Sequence, residues 1–259
     1  MDANDKSTFV RVGDHLLDVY RVDCEIMPIT LPEAQKMLRQ IYPSSGIEEI
    51  LNVFSAEPSY AFSGSLEISD RRKYAEFSGH IGAVDKAYRG HNIFRDYDVC
   101  VCFHQDYILI NSLNAVDLRK RLGSGGKFFE KLEEFAVKAG VAELNVMAAS
   151  YEGGYFWAAR GFVPETEVDW ENLKQSVCNK LDKAVKEFKL THNVADSFRG
   201  KVDKLDGDNL RDFACRRDIL VPDKINSLHW VHKEKEVPIG AYLLRGSCWN
   251  GRKTLDLCR

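Results

Sequence analysis

The chain has 259 residues, of which 44% are hydrophobic and 29% charged, and its formal net charge is −3. A chain of this length and composition can bury a full hydrophobic core and is typical of an ordinary soluble globular protein. The small net charge gives no general attraction to nucleic acid, and no apolar run approaches the roughly 18 residues that cross a bilayer. The polar start of the chain lacks the layout of a secretory signal, and the odd count of seven cysteines fits a reducing compartment. We therefore expect a cytoplasmic protein with no membrane partner.

The first elements in chain order are a strand and two helices. The run His15–Val22 is typical of a strand. Leu31–Tyr42 is predicted to be a helix, because Thr30 suits the N-cap and Glu33 stands at the capping-box position. A second helix is predicted at Ile47–Phe54, after a short Ser-Ser-Gly connection.

The next part of the chain is rich in β-branched and aromatic residues separated by turn signals. It predicts strands at Ala61–Ile68, Tyr74–Val84 and Val99–Ile110. Cys100 and Cys102 fall on one face of the last of these strands, side by side. Their spacing favours packing over metal ligation, and we predict no metal site.

A Gly-rich segment then follows an apolar run, Tyr107–Leu113. A strand that leads through such a segment into a helix exposes free backbone N–H groups at the positive end of the helix dipole, which can hold a phosphate. The predicted helix has one apolar face and ends before Gly140, which suits a C′ position. The segment reads Lys120-Arg121-Leu122-Gly123-Ser124-Gly125-Gly126-Lys127.

Two common phosphate motifs do not fit this segment. A P-loop requires a hydroxyl residue after its Gly-Lys pair, but Phe128 follows Lys127. A dinucleotide fingerprint requires a third glycine three residues after Gly125, where Phe128 stands again.

The remaining elements continue this alternation and then change character. A buried strand is predicted at Val141–Ala149, followed by a short helical turn, Gly153–Arg160, that closes on Gly161-Phe162. Apolar residues from Trp170 to Phe188 then recur at helical spacing, with a lysine-rich opposite face that we interpret as solvated.

The C-terminal part is predicted to hold a second short helix near Asp208–Arg216 and two strands. The first strand is Ile239–Leu244 and the second is Thr254–Leu257, with a turn at Trp249-Asn250-Gly251 between them.

Two of these patterns resemble the GNAT acyltransferase superfamily over about residues 60–165. The segment Lys120–Gly125 is similar to the pyrophosphate loop [Q/R]-x-x-G-x-[G/A] of that superfamily, with Lys120 where Gln or Arg is usual. An aromatic helix that leads into Gly161-Phe162 is similar to the end of the same region. The alternative is an ordinary βαβ unit with a Gly-rich connection.

The resemblance implies an α/β (α+β) fold, a GNAT-like mixed central sheet flanked by helices with a helical insertion before the last strands. It implies one domain in four parts. These are an N-terminal strand and helical cover (1–60), an acyl-CoA-binding core (61–165), a helical insertion (166–236) and C-terminal strands (237–259).

The activity implied by the resemblance is transfer of an acetyl group from acetyl-CoA, as co-substrate, to an amine, by an enzyme of the GNAT N-acetyltransferase type. The thioester would lie in a splay between two parallel strands, and backbone groups of the first strand would hold the pantetheine arm. The cofactor-binding residues expected on this basis are Leu113, Ala115, Lys120, Arg121, Leu122, Gly123, Ser124, Gly125, Gly126 and Lys127.

Two catalytic residues are expected on the same basis. Many GNAT enzymes have a tyrosine four residues before the glycine of the Gly-Phe pair, but Trp157 stands there and cannot act as an acid at neutral pH. Tyr155 is therefore our candidate for the general acid, with Tyr151 the other nearby phenol. His104 is our candidate for the general base, next to the strand that leads to the loop.

Two other functions stay open on sequence grounds. Lys120 and Trp157 at signature positions would suit a catalytically degenerate GNAT-like binding scaffold. Basic residues near the Gly-rich segment would suit an acyltransferase acting on a nucleic acid, such as tRNA or a modified base. The acceptor is not specified by the sequence. A protein or small-molecule amine is favoured, and a nucleic acid is not excluded.

Overall fold

The computed structural model describes residues 10–23, 25–55, 59–85, 92–93, 95–115, 124–148, 152–188, 190–223, 226–227, 230–231 and 235–258. The chain divides into two compact units, Met1–Asn145 with Thr254–Arg259 (unit 1) and Val146–Lys253 (unit 2). The sequence-based division into one four-part domain stays a prediction.

Unit 1 consists mainly of strands. Its elements are β1 (Val10–Val12), β2 (His15–Val22), β3 (Ile26–Pro28), α1 (Leu31–Ile41), α2 (Ile47–Phe54), β4 (Tyr60–Ser69), β5 (Tyr74–Asp85), β6 (Asn92–Ile93), β7 (Tyr97–His104), β8 (Tyr107–Ala115) and α3 (Ser124–Ala139). Strand β9 (Glu143–Ala148) begins in unit 1 and ends in unit 2. The predicted capping box at α1 is present, because the Glu33 carboxylate accepts hydrogen bonds from the Thr30 backbone N–H (2.8 Å) and hydroxyl (2.7 Å).

The strand order in unit 1 is β1-β2-β4-β5-β7-β8-β9, with β3 also on β2 and β6 also on β5. The sheet is mixed, because β2 and β4 are parallel while β4, β5, β7 and β8 follow one another antiparallel. Helices α1 and α2 pack against β4, and α3 packs against β8. The predicted fold class, a mixed sheet flanked by helices, is confirmed.

One face of this sheet forms the hydrophobic core of unit 1. Phe54 of α2 lies at its centre, with ring centroids 4.8 Å from Phe62, 5.5 Å from Phe77 and 5.7 Å from Phe128. All four rings are buried, so the strands and two helices share one aromatic cluster.

Two glycines face each other within this sheet. Gly64 of β4 is directly opposite Gly79 of β5. A β-carbon added to Gly64 would lie 2.6 Å from the Gly79 Cα, and one added to Gly79 would lie 2.7 Å from the Gly64 Cα. The two backbones therefore approach each other more closely than any other residue type allows.

Unit 2 is mainly helical. Its elements are α4 (Gly153–Ala158), β10 (Val163–Pro164), α5 (Glu167–Phe188), α6 (His192–Val202), α7 (Leu210–Ala214), β11 (Leu220–Asp223), β12 (Asn226–Ser227), β13 (Trp230–Val231), β14 (Lys235–Pro238), α8 (Ile239–Leu244) and β15 (Trp249–Thr254), the last residue of β15 belonging to unit 1. Strand β10 pairs with β15, β11 with β14 and β12 with β13, all antiparallel. Among the described helices, none is long and apolar enough to cross a membrane.

Several sequence-based predictions of secondary structure are wrong. Val99–Ile110 is not one strand, because the chain reverses at Gln105 and Asp106 and continues as β8. The expected helical insertion at 166–236 is helical only as far as Ala214 and then contains strands.

The C-terminal predictions are also wrong in part. Ile239–Leu244 is a helix, fully buried, with Gly240 so close to the carbonyls of Phe213 and Ala214 that a β-carbon would clash. Trp249-Asn250-Gly251 lies inside β15 instead of forming a turn, since Gly251 makes room for the Trp249 ring. The strand predicted at Thr254–Leu257 is absent apart from Thr254, which is the last residue of β15.

Candidate functional site

The Gly-rich segment leads into the N-terminus of α3. Lys120, Arg121, Leu122 and Gly123 lie outside the described residues, and the helix begins at Ser124. Its first turn, Ser124-Gly125-Gly126-Lys127, contains no acidic residue, whereas the first turns of α1, α2 and α5 do. The positive end of the α3 dipole is therefore not offset by an acidic side chain of its own first turn.

Helix α3 is held in place by contacts with the core of unit 1. Phe135 has its ring centroid 5.6 Å from Phe103 and 5.7 Å from Tyr42. Lys131 Nζ donates a hydrogen bond to the Ser55 carbonyl at 2.5 Å, next to the end of α2. Helix α3 is thus held by contacts with β7 and with the residues that follow α1 and α2.

The predicted stop of α3 at Gly140 is confirmed as a Schellman motif. Gly140 has φ +76°, its N–H donates to the Val137 carbonyl (3.1 Å), and the Val141 N–H donates to the Ala136 carbonyl (2.8 Å). The chain then enters β9, which follows β8 in the strand order.

Leu113 and Ala115 are the residues of β8 expected near the pantetheine arm. They pair with Val99 and Tyr97 of the neighbouring strand β7. Leu113 is half-buried. The structure therefore brings Leu113, Ala115, Ser124, Gly125, Gly126 and Lys127 into one strand–connection–helix arrangement within unit 1.

Tyr155 lies in α4 of unit 2 and is half-buried. The Arg245 guanidinium carbon is 6.0 Å from the centroid of its ring, and Arg245 Nε donates to Glu152 Oε2 at 2.9 Å. Tyr151, the other candidate phenol, lies outside the described residues. Tyr155 therefore lies beside the Arg245–Glu152 ion pair.

The glycine before Tyr155 sets how α4 packs. A β-carbon at Gly154 would clash with the Ser247 hydroxyl and the Leu244 carbonyl oxygen. This close approach positions Tyr155 with respect to the segment after α8, which also contains Arg245.

Trp157 is a core residue of unit 2. It is 5% exposed and packs edge-on against Phe156 (4.7 Å) and Phe162 (5.2 Å). Gly161 has φ +83°, and the Phe162 N–H donates to the Trp157 carbonyl at 3.1 Å. The Gly-Phe pair therefore ends α4 in the same way that Gly140 and Val141 end α3.

His104 lies at the end of β7 in unit 1, directly opposite Tyr74, with its ring stacked on Tyr107 at 4.3 Å. Its backbone carbonyl accepts a hydrogen bond from the Tyr42 hydroxyl. Burial lowers the pKa of His104, with a smaller opposing effect from Glu76. The imidazole is thus neutral at neutral pH and can accept a proton. His104 belongs to unit 1, whereas Tyr155 belongs to unit 2.

A cluster on the second face of the unit 1 sheet was not predicted from the sequence. Glu67, Glu76 and Cys102 are directly opposite one another on β4, β5 and β7, and Cys100 and His104 flank Cys102 on the same side of β7. We call these five residues the polar face. The available signal was the pair of cysteines two residues apart, but the cross-strand partners of a strand cannot be read from local sequence.

The thiols of the polar face interact with each other and with Glu76. Cys102 Sγ donates to Glu76 Oε2 at 2.8 Å. The pKa of Cys100 is lowered, chiefly by its hydrogen bond with Cys102, and that of Cys102 is raised by the same bond and by burial. Cys100 is therefore the first of the two thiols to ionise.

Comparisons with known proteins are sparse. No protein-family model and no curated protein matches the chain. Among solved structures, the chain is similar to the crystal structure of Tetrahymena GCN5, at 15% sequence identity over 53% of this chain and 71% of that one, with a TM-score of 0.27. A TM-score this low establishes neither the fold nor the activity of the chain.

Proposed function

We propose that the chain is an acyltransferase that moves an acetyl group from acetyl-CoA to an amine acceptor. The observation that supports this most directly is the N-terminus of α3. It is Gly-rich, has no acidic residue in its first turn, and follows β8, a strand of a mixed sheet. Free backbone N–H groups at such a terminus suit a pyrophosphate. The sequence resemblance described above supplies the reaction class.

Each candidate residue has one role in this proposal. Backbone groups of Leu113 and Ala115 hold the pantetheine arm, and residues 120–127 hold the pyrophosphate. His104, neutral because burial lowers its pKa, takes the proton of the attacking amine. A C–N bond forms, the C–S bond breaks, and Tyr155 gives its proton to the departing thiolate.

The acceptor is proposed only as a class, an amine on a protein or a small molecule. A scaffold that binds CoA without transferring its acyl group is the alternative, and assays of binding and of transfer distinguish the two. In the assay for transfer, the protein is incubated with acetyl-CoA and a panel of amines, and released CoA is measured by chromatography.

The binding experiment is a thermal-shift titration with acetyl-CoA, CoA, ATP and NAD. Acetyl-CoA and CoA should raise the melting temperature, by a stabilisation of about 2.7 kcal/mol at a concentration 100 times Kd. Stabilisation by ATP or NAD but not by CoA would overturn the proposal.

Gly125→Asp tests the helix N-terminus itself. A carboxylate in the first turn of α3 interacts favourably with the helix dipole, by about 0.3–1 kcal/mol, so the ligand-free protein should stay folded and lose no stability. The same carboxylate should repel the pyrophosphate, so the CoA-dependent shift should disappear. Lys138→Gln is the matched control, because it changes the net charge equally at the other end of α3 and should leave the CoA shift intact. Equal CoA affinity in folded Gly125→Asp would show that the segment is only a connection.

A further inference from the structure

Three potential metal ligands converge on the polar face. The sheet register places Glu76 directly opposite Cys102, and Cys100 lies two residues away on the same side of β7. The two sulfur atoms and a Glu76 carboxylate oxygen all lie within 4.8 Å of one another. Cys102 is 6% exposed and the other two residues are half-buried, so a bound ion would be partly shielded from water.

A β-bulge brings a fourth side chain to the same place. Cys100 pairs with Ser112 and Val101 pairs with Ile110, which leaves Asn111 of β8 without a partner in the β7–β8 register. Bulges redirect side chains. Here Asn111 Nδ2 lies 3.3 Å from Cys102 Sγ and 3.6 Å from Cys100 Sγ, donating to both. Such N–H donors stabilise thiolates and orient metal ligands.

The carboxylates of this face are arranged unfavourably unless a cation is present. Glu67 and Glu76 are directly opposite across β4 and β5. Like charges at such positions destabilise a sheet. A divalent cation at Glu76 would offset this repulsion.

We propose that Glu76, Cys100 and Cys102 bind Zn²⁺, with Asn111 as a hydrogen-bond donor to the ligand sulfurs. Ligand atoms on one tetrahedral zinc ion lie about 3.6–3.8 Å apart, from bond lengths of about 2.3 Å to sulfur and 2.0–2.2 Å to oxygen. The present separations bracket these values, since Cys102 Sγ lies 2.8 Å from Glu76 Oε2 and no two of the three ligand atoms are more than 4.8 Å apart. Two thiolates favour zinc over calcium or magnesium, which prefer oxygen ligands. A water molecule takes the fourth position.

Binding requires both thiols to lose their protons. The two protons go to solvent as the sulfur–zinc bonds form, so the affinity rises with pH. The proposal rests only on residues of unit 1 and is independent of the acyltransferase activity proposed above.

The test uses the full chain, freed of metal by chelator and titrated with Zn²⁺ by calorimetry. One ion should bind per chain, and Co²⁺ should give the visible bands of a tetrahedral thiolate site. Cys100→Ser, Cys102→Ser and Glu76→Gln should each weaken zinc binding at least about tenfold, and Asn111→Ala by about 10–100-fold. Cys215→Ser, which alters an exposed thiol of unit 2, is the matched control and should change nothing.

A second measurement does not depend on variants that fold. In the wild-type chain, Zn²⁺ should protect Cys100 and Cys102 from alkylation, as mapped by mass spectrometry. Protection of other cysteines instead, or the absence of stoichiometric binding, would overturn the proposal. So would an air-formed disulfide between Cys100 and Cys102 that Zn²⁺ does not prevent, because the pair would then be a redox couple.

Discussion

His15 should make the folded chain lose stability as the pH falls, by an amount that can be worked from its contacts. The side chain is 7% exposed. Its Nδ1 accepts a hydrogen bond from the Phe62 N–H at 3.0 Å, so the ring proton is on Nε2, which faces Ser55 Oγ at 3.2 Å. The neutral ring thus joins β2, β4 and the segment after α2.

Burial lowers the pKa of His15 from 6.5 to about 4, against a smaller raising effect of Asp14. Above the unfolded-state value both states are neutral and the residue adds no pH dependence. Below it the unfolded chain takes up the proton and the folded chain does not, so the free energy of unfolding decreases. The loss is about 2 kcal/mol at pH 5 and about 3 kcal/mol at pH 4.

The assay is urea unfolding at a series of pH values for the wild type and for His15→Asn. Asparagine offers an oxygen near the position of Nδ1 and has no titrating proton. The wild type should therefore lose its advantage over the variant as the pH falls from about 7 to about 4.5. A difference in unfolding free energy that stays constant over this range would refute the assignment of a buried, neutral His15.

The remaining predictions concern unit 2. Gly154→Ala should destabilise the fold by about 1–3 kcal/mol or more, because its β-carbon clashes with Ser247 and the Leu244 carbonyl. Gly200→Ala is the control, since Gly200 lies in open space on α6, and it should stabilise the fold by up to about 1 kcal/mol. Thermal unfolding of the two variants measures both effects. Equal effects of the two alanines would contradict the packing of α4. Tyr155→Phe should lower acetyl transfer about 10²-fold with little change in CoA affinity, with Tyr151→Phe as control. A loss of transfer in the control alone would move the acid to Tyr151.

Local signals were enough to predict the elements whose boundaries depend on local chemistry. The bounds predicted for β2 and α2 match those observed, and the prediction for α1 is one residue too long. The capping box at Thr30 and the glycine motif that ends α3 are each formed by residues within one or two helical turns of each other. These devices act through hydrogen bonds between near neighbours, and a single sequence contains them in full.

Elements that depend on tertiary contacts could not be predicted in the same way. The apolar run Ile239–Leu244 fits a buried strand and a buried helix equally, and only its packing against α4, α5 and α7 decides for the helix. The two-residue reversal at Gln105 and Asp106 carries no glycine or proline that would mark it. The cross-strand position of Glu76 and the bulge at Asn111 follow from the sheet register, which no local pattern specifies.

The contact between Gly64 and Gly79 limits how this chain can vary over evolution. In either position a β-carbon would meet backbone atoms of the opposite strand, and backbone atoms, unlike a side chain, cannot be made smaller by a second mutation. Neither position can therefore be rescued by a compensating change nearby. In a saturation-mutagenesis library selected for folding, the two sites should accept glycine alone, while Ser63 and Ser78 beside them tolerate several residues. Two glycines fifteen residues apart should therefore stay conserved in distant relatives after most other sequence identities have been lost.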